Sequence, residues 1–124
     1  MTGEPDLSGH RILVVEDDYY IATDTARALS GAGAEVVGPC PSEEAAQAEI
    51  EGRRPSAAVV DINLGEGPTF ELARILKQAG VPFVFTTGYD EDVIPHEFDG
   101  VARLEKPIAL RRIVGAVARA LDLA

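Results

Sequence analysis

Five short apolar runs punctuate the chain, separated by longer stretches with helical spacing. Ile12-Leu13-Val14-Val15 is continuously apolar, as a strand buried on both faces should be. It stops at Glu16-Asp17-Asp18. Ile21 to Ala32 then reads as a helix, with Ile21, Ala22, Thr25, Ala28 and Leu29 on one face and an end at Gly31 and Gly33. Glu35 to Gly38 is a second strand, which Pro39 and Pro41 are expected to break. Ser42 is placed to cap a helix from Glu43 to Glu51, because its hydroxyl can accept a free backbone N–H of the first turn. Ala57 to Val60 is the third strand and ends at Asp61. A loop with Gly65, Gly67 and Pro68 leads to a third helix, Thr69 to Ala79. Phe83 to Thr86 is the fourth strand, ending at Thr87-Gly88. Asp90 to Phe98 has only weak helical character, Val101 to Leu104 is the fifth strand, and Ile108 to Leu121 is a final amphipathic helix.

Strict alternation of two-sided strands with helices predicts an α/β fold, a parallel sheet covered by helices on both faces. Residues 1–9 read as a disordered lead-in and 10–124 as a single domain, a usual size for one core. In such sheets ligands bind beyond the carboxyl ends of the strands, where strand order reverses. Glu16 and Asp17 close the first strand, Asp61 the third and Thr87 the fourth, and Lys106 follows the fifth. These five residues are therefore expected to converge.

Composition narrows the function. Of the residues, 46% are hydrophobic and only 6% aromatic, so a packed globule is expected with Ala, Val, Ile and Leu carrying most of its core. The formal net charge of −10 argues against nucleic acid or an anionic membrane, since binding phosphates needs clustered Lys and Arg. Cys40 is the one cysteine, which excludes an intrachain disulfide and fits a reducing cytoplasm. No apolar run is long enough for a membrane span, and the first residues lack the basic start of a signal peptide. His10 and His96 are far apart, and with one cysteine they form no zinc pattern; neither is placed like a phosphohistidine carrier.

Three carboxylates in one crevice have a specific chemistry. Two such charges about 4 Å apart repel by roughly 4 kcal/mol at an effective dielectric of 20. The group is stable only with a bound cation or a proton. Hard oxygen ligands with room for waters and a phosphate oxygen suit Mg²⁺. A carboxylate is also a competent nucleophile for an acyl phosphate. Lys106 and a metal would neutralise the transferring phosphoryl group, and Thr87 offers it a hydroxyl. Taken singly, Glu16-Asp17 reads equally as a helix cap, Asp61 as a turn residue, Thr87 as a strand-end hydroxyl and Lys106 as a solvated lysine. The ordered set, each at a strand end, is what points to phosphoryl chemistry.

On these motifs, Ile12 to Asp18, Val59-Val60-Asp61-Ile62-Asn63-Leu64, Thr87-Gly88 and Lys106-Pro107, the chain resembles the receiver domains of two-component response regulators from about Arg11 to Leu121. The resemblance implies the flavodoxin-like, CheY-like (βα)5 doubly wound sandwich with strand order 2-1-3-4-5. It implies that Glu16 and Asp17 are the metal-site acids, Asp17 the more direct ligand, for Mg²⁺ or Mn²⁺. Asp61 becomes the phosphoacceptor, Asn63 gives the metal its backbone carbonyl, and Thr87 and Lys106 bind phosphoryl oxygens. The Lys106–Pro107 bond is expected to be cis. The implied partners are a sensor histidine kinase or phosphotransfer protein, and a downstream protein bound by the face of the fourth helix, fifth strand and fifth helix. A monomer or weak dimer is expected.

Pro82 to Tyr89 is similar to the FAT GUY subgroup of receivers, with Thr86 in place of the alanine and Tyr89 directly after Gly88. That subgroup is often single-domain and tied to bacterial stress signalling, and output through protein–protein contact is accordingly expected. The chain departs from most receivers at Arg103, where a rotating aromatic switch is usual. Thr87, Tyr89 and Arg103 are accordingly the switch candidates. Two other functions compete. A phosphatase that turns over an aspartyl phosphate usually needs an acid two residues after the nucleophile, where this chain has Asn63. A pseudo-receiver that only binds partners and is never phosphorylated would not need the full acid, Thr and Lys set.

Overall fold

A computed structural model describes residues 5–64, 70–88 and 94–123. Five strands, β1 (Arg11–Val15), β2 (Glu35–Cys40), β3 (Ala57–Asp61), β4 (Phe83–Thr87) and β5 (Arg103–Glu105), form one parallel sheet in the order β2-β1-β3-β4-β5. Helices α1 (Tyr19–Gly31), α2 (Glu43–Gly52), α3 (Glu71–Gln78) and α4 (Leu110–Ala120) flank it, and a 3-10 turn, His96–Phe98, precedes β5. The doubly wound fold and its strand order are those expected. Among the described residues no helix is long and apolar enough to cross a membrane.

The two-residue period of the strands builds two cores. Leu13, Val15, Ala58, Val60 and Phe85 point to the side of Leu72 and Leu76 of α3 and Ala46 of α2. Ile12, Val14, Val59 and Val84 point to the other side, against Leu29 of α1 and Ile113 and Val117 of α4. The four phenylalanines gather on the first side, with Phe83, Phe85 and Phe98 mutually edge-to-face at 5.4–6.1 Å between ring centres and Phe70 against Phe85 and Phe98. Aromatics are few, but they are concentrated, and such pairs add about 0.5–1.5 kcal/mol each beyond area burial.

Several elements differ from the sequence reading. β2 runs through Pro39 to Cys40, because it is an edge strand, where a missing N–H is tolerated. Gly38 sits at φ +95°, and a Cβ there would lie 3.0 Å from the Val14 carbonyl oxygen, so the strand needs glycine to pass β1 with its shifted register. α1 begins earlier than Ile21, since Asp18 caps it by accepting from the N–H groups of Tyr20 and Ile21. The loop at Gly65, Gly67 and Pro68, Thr69, and residues 89–93 of the weak fourth helix lie outside the described residues; its last part is the 3-10 turn. α3 carries no side-chain cap of its own; Glu43 of α2 accepts from the Leu72 N–H at 3.0 Å.

The lead-in also differs where it is described. Leu7 is fully buried in the second core, and its N–H donates to the Ala32 carbonyl at 2.8 Å. One apolar residue between Pro5-Asp6 and Ser8-Gly9 has no periodicity to reveal it. Truncating it removes a filled site: Leu7→Ala is expected to lower stability by about 2 kcal/mol or more, measured by urea unfolding. A loss under about 0.5 kcal/mol would show that this segment contributes no packing.

Candidate functional site

Strand order places the acids. β1 pairs with β3, Val15 opposite Val60, so the residues just past both strands meet at the point where the chain reverses its direction of winding. Glu16, Asp17 and Asp61 each bring one carboxylate oxygen within 4.8 Å of the others. Asp18 caps α1, which leaves Glu16 and Asp17 for this group. Glu16 is 5% exposed and Asp61 2%, whereas Asp17 faces solvent, so the group is a buried pair with an open third member.

Lys106 holds the buried pair. Its Nζ lies 2.8 Å from Glu16 Oε1 and 3.3 Å from Asp61 Oδ2. The Asp18 N–H donates to Glu16 Oε2 at 3.2 Å, and the Asn63 N–H to Asp61 Oδ1 at 3.1 Å. Burial pushes the Glu16 carboxyl up to about 7, with the neighbouring Asp61 adding to the rise and the bond from Lys106 opposing it. Burial disfavours the Lys106 ammonium, but Glu16 and Asp61 outweigh it and hold its pKa above the ordinary lysine value. The Lys106–Pro107 bond is cis, as expected, and Gly38–Pro39 is a second cis bond.

Thr87 ends β4, fully buried, and its carbonyl accepts from the Lys106 N–H at 2.8 Å. Thr86, its neighbour, pairs with Asp61 across the sheet, which sets Thr87 beside the acidic group. Glu16, Asp17, Asp61, Asn63, Thr87 and Lys106 thus lie at one end of the sheet. Arg103 does not join them. It pairs with Phe85 lower on β5, and its guanidinium donates to the Phe98 carbonyl at 3.3 Å and lies 3.9 Å from Asp99. Tyr89 lies outside the described residues.

Sequence reasoning missed the anchorage of the turn that Arg103 touches. Arg74 pairs with Glu97 through two nitrogens, at 3.0–3.2 Å, and Lys77 donates to the Glu97 carbonyl at 2.8 Å. Both cations stand over the buried Phe98 ring, 6.0 and 5.6 Å from its centre. Nothing local signals this, because the partners are some twenty residues apart. The Lys106–Glu16 contact likewise has no local signal, since the partners lie at the ends of the first and fifth strands.

The donor set suits a hard divalent cation. It offers carboxylate oxygens without sulfur or imidazole, one member faces water, and Lys106 lies against the other two.

Comparison with known proteins agrees with this geometry. The family model of the response regulator receiver domain matches residues 12–118, from β1 into α4. The phyllosphere-induced regulator PhyR of Methylorubrum extorquens is 31% identical over 114 residues, covering 89% of this chain and 43% of that protein. The chain spans under half the length of the curated relatives it matches. The crystal structure of PhyR from Brucella abortus superposes with a TM-score of 0.82 at 25% identity, over 94% of this chain and 49% of that one. The BeF3-activated conformation of SdrG from Pseudomonas melonis superposes with a TM-score of 0.77 at 31% identity, over 90% of this chain and 95% of that one. Receiver domains are signalling modules and not enzymes, so the phosphatase reading falls. On its sequence, its strand order and the residues gathered past its strand ends, the chain belongs to the response regulator receiver domain family.

Proposed function

We propose that the chain is a phosphoacceptor signalling module in which Asp61 takes a phosphoryl group from a phosphohistidine of a sensor histidine kinase or phosphotransfer protein. The observation that carries this reading is the buried Asp61 carboxylate, held 3.3 Å from Lys106 among two further acids. A carboxylate oxygen of Asp61 attacks phosphorus, a P–O bond forms, the P–N bond breaks and the imidazole leaves. Glu16, Asp17, Asp61 and the Asn63 carbonyl would hold Mg²⁺ or Mn²⁺. When bound, the ion supplies positive charge to the oxygens of the transferring group. Lys106 already lies against Asp61 and gives the same oxygens an ammonium, and the Thr87 hydroxyl gives them a donor.

The output is a change in affinity for a partner protein, or the module acts as a phosphate shuttle or sink. The setting is the bacterial cytoplasm. SdrG, solved in its BeF3-activated form, supports the reading as a near-full-length relative. Arg103 serves as a fixed tie between β5 and the turn 96–99, and Thr87 and Tyr89 carry the signal in place of a rotating aromatic.

Acetyl phosphate with Mg²⁺ is expected to add one phosphoryl group, seen by intact mass spectrometry, that is absent without Mg²⁺ and absent in Asp61→Asn. No gain from any donor, kinase phosphohistidine included, would turn the reading to a pseudo-receiver scaffold.

The raised Glu16 pKa fixes the sign of a pH effect. The folded metal-free protein keeps the Glu16 proton to about 7, while the unfolded chain releases it near 4.5. Native protein therefore binds more protons between these values, and this group's contribution to stability, full below 4.5, is lost as pH rises through about 7. The loss is up to about 1.4 kcal/mol per pH unit inside the window. Urea unfolding across pH 4.5–7 should show this slope in the parent and a flatter one in Glu16→Gln.

Arg103→Ala should quicken hydrogen exchange at Phe98, Asp99 and Val101 and cost about 1 kcal/mol, with phosphoryl uptake at Asp61 unchanged. Tyr89→Ala should leave that exchange unchanged and abolish phosphorylation-linked NMR shifts in the same segment. The opposite pattern would make Arg103 the moving part.

A further inference from the structure

At the amino ends of β4 and β5, opposite the acidic group, a groove of about 530 Å³ opens between the C-terminal turns of α3 and α4. Phe83, Val101 and Ala116 give it an apolar floor. Its charged lining residues are Lys77 and Arg119, and among the described residues no acidic one lines it. Arg54, donating to the Ala79 carbonyl at 2.8 Å, flanks its Gly80 wall. In a chain with 21 acidic and 11 basic residues this grouping of cations runs against the composition.

The cations differ in what they already do. Lys77 gives one proton to the Glu97 carbonyl and stands over the Phe98 ring, so it is already engaged. Arg119 is exposed, and its guanidinium has no hydrogen bond or ion pair among the described residues. An unpaired guanidinium at the rim of an apolar groove is a fork for a carboxylate that arrives with an apolar stem. A phosphate or nucleic acid would use the cations and leave the half-buried Val101 surface uncovered.

We propose that this groove receives a short partner-protein segment in which apolar side chains alternate with carboxylates, an apolar one on the floor and an acid on Arg119. The identification of that protein as the output partner rests on the signalling reading above. The groove wall supports such a link, because Val101 and Ala102 run directly into β5, and the Ala102 carbonyl accepts from Phe85 N–H of β4.

The test uses the ¹⁵N-labelled full chain titrated with a pentapeptide of alternating aspartate and leucine, beside a lysine–leucine counterpart and inorganic phosphate. The acidic peptide is expected to shift the amides of Val84, Val101, Ala102 and Ala116. The lysine peptide and phosphate should leave them in place. Arg119→Glu should weaken binding at least tenfold and Arg119→Gln less. This residue is on the surface, so both variants should keep the dispersed spectrum of the folded chain. Absent shifts, equal shifts from phosphate, or binding that survives Arg119→Glu would each overturn the proposal. Phosphoryl uptake at Asp61, weighed on the same samples, separates the two readings. Peptide binding without phosphorylation keeps the groove and removes its signalling role, and phosphorylation without peptide binding does the reverse.

Discussion

One ammonium group holds together the end of the sheet on which everything else depends. Glu16 and Asp61 lie almost out of water, and Lys106 touches both. Charges in such a place are tolerated only when paired and hydrogen-bonded, and stripping one partner from a buried pair typically costs about 3–5 kcal/mol. The remaining oxygens are met by the N–H groups of Asp18 and Asn63, each two residues beyond its own acid. The arrangement is therefore local at each strand end, and non-local through Lys106 and through the contact of Glu16 with Asp61. Asp17 faces solvent at the same place. Carboxylates gathered in this way suit a hard divalent cation.

The fold makes this possible through the order of its strands. Parallel strands deliver their carboxyl ends to one side, and the β2-β1-β3 order puts the first and third strand ends side by side. Because β1, β3 and β4 are buried on both faces, a slip in register would put polar strand ends into the cores. The same apolar residues that stabilise the sheet thus fix where Asp61 and Thr87 stop. Capping adds to this: Asp18 takes the α1 terminus, so the two acids before it need not.

Much of this was legible in the chain, for identifiable reasons. Two-sided strands read as continuous apolar runs, and their polar ends marked the site, including Asp61 and Lys106. What was hidden depended on partners distant in sequence. Pro39 looked like a breaker because nothing local says that β2 is an edge. Leu7 looked like lead-in because a single apolar residue has no period. The α3 terminus is capped from α2, and the turn 96–99 is held by Arg74, Lys77 and Arg103 from two other elements. Scarce aromatics suggested an aliphatic core, whereas the four phenylalanines close one side of the sheet together.

β5 is where these separate features meet. It is three residues long and lies at the sheet edge, so it is attached chiefly through β4. At its upper end the Lys106 N–H bonds to the Thr87 carbonyl, next to the acidic group. At its lower end Ala102 bonds to Phe85 and lines the basic groove. Between them Arg103 ties the strand to the turn carrying Phe98, whose ring sits within the phenylalanine cluster. A short edge strand fixed at both ends and braced in the middle moves as a unit or not at all. β5 and its flanking residues therefore touch the acidic group, the Phe98 turn and the groove wall within five positions of the chain.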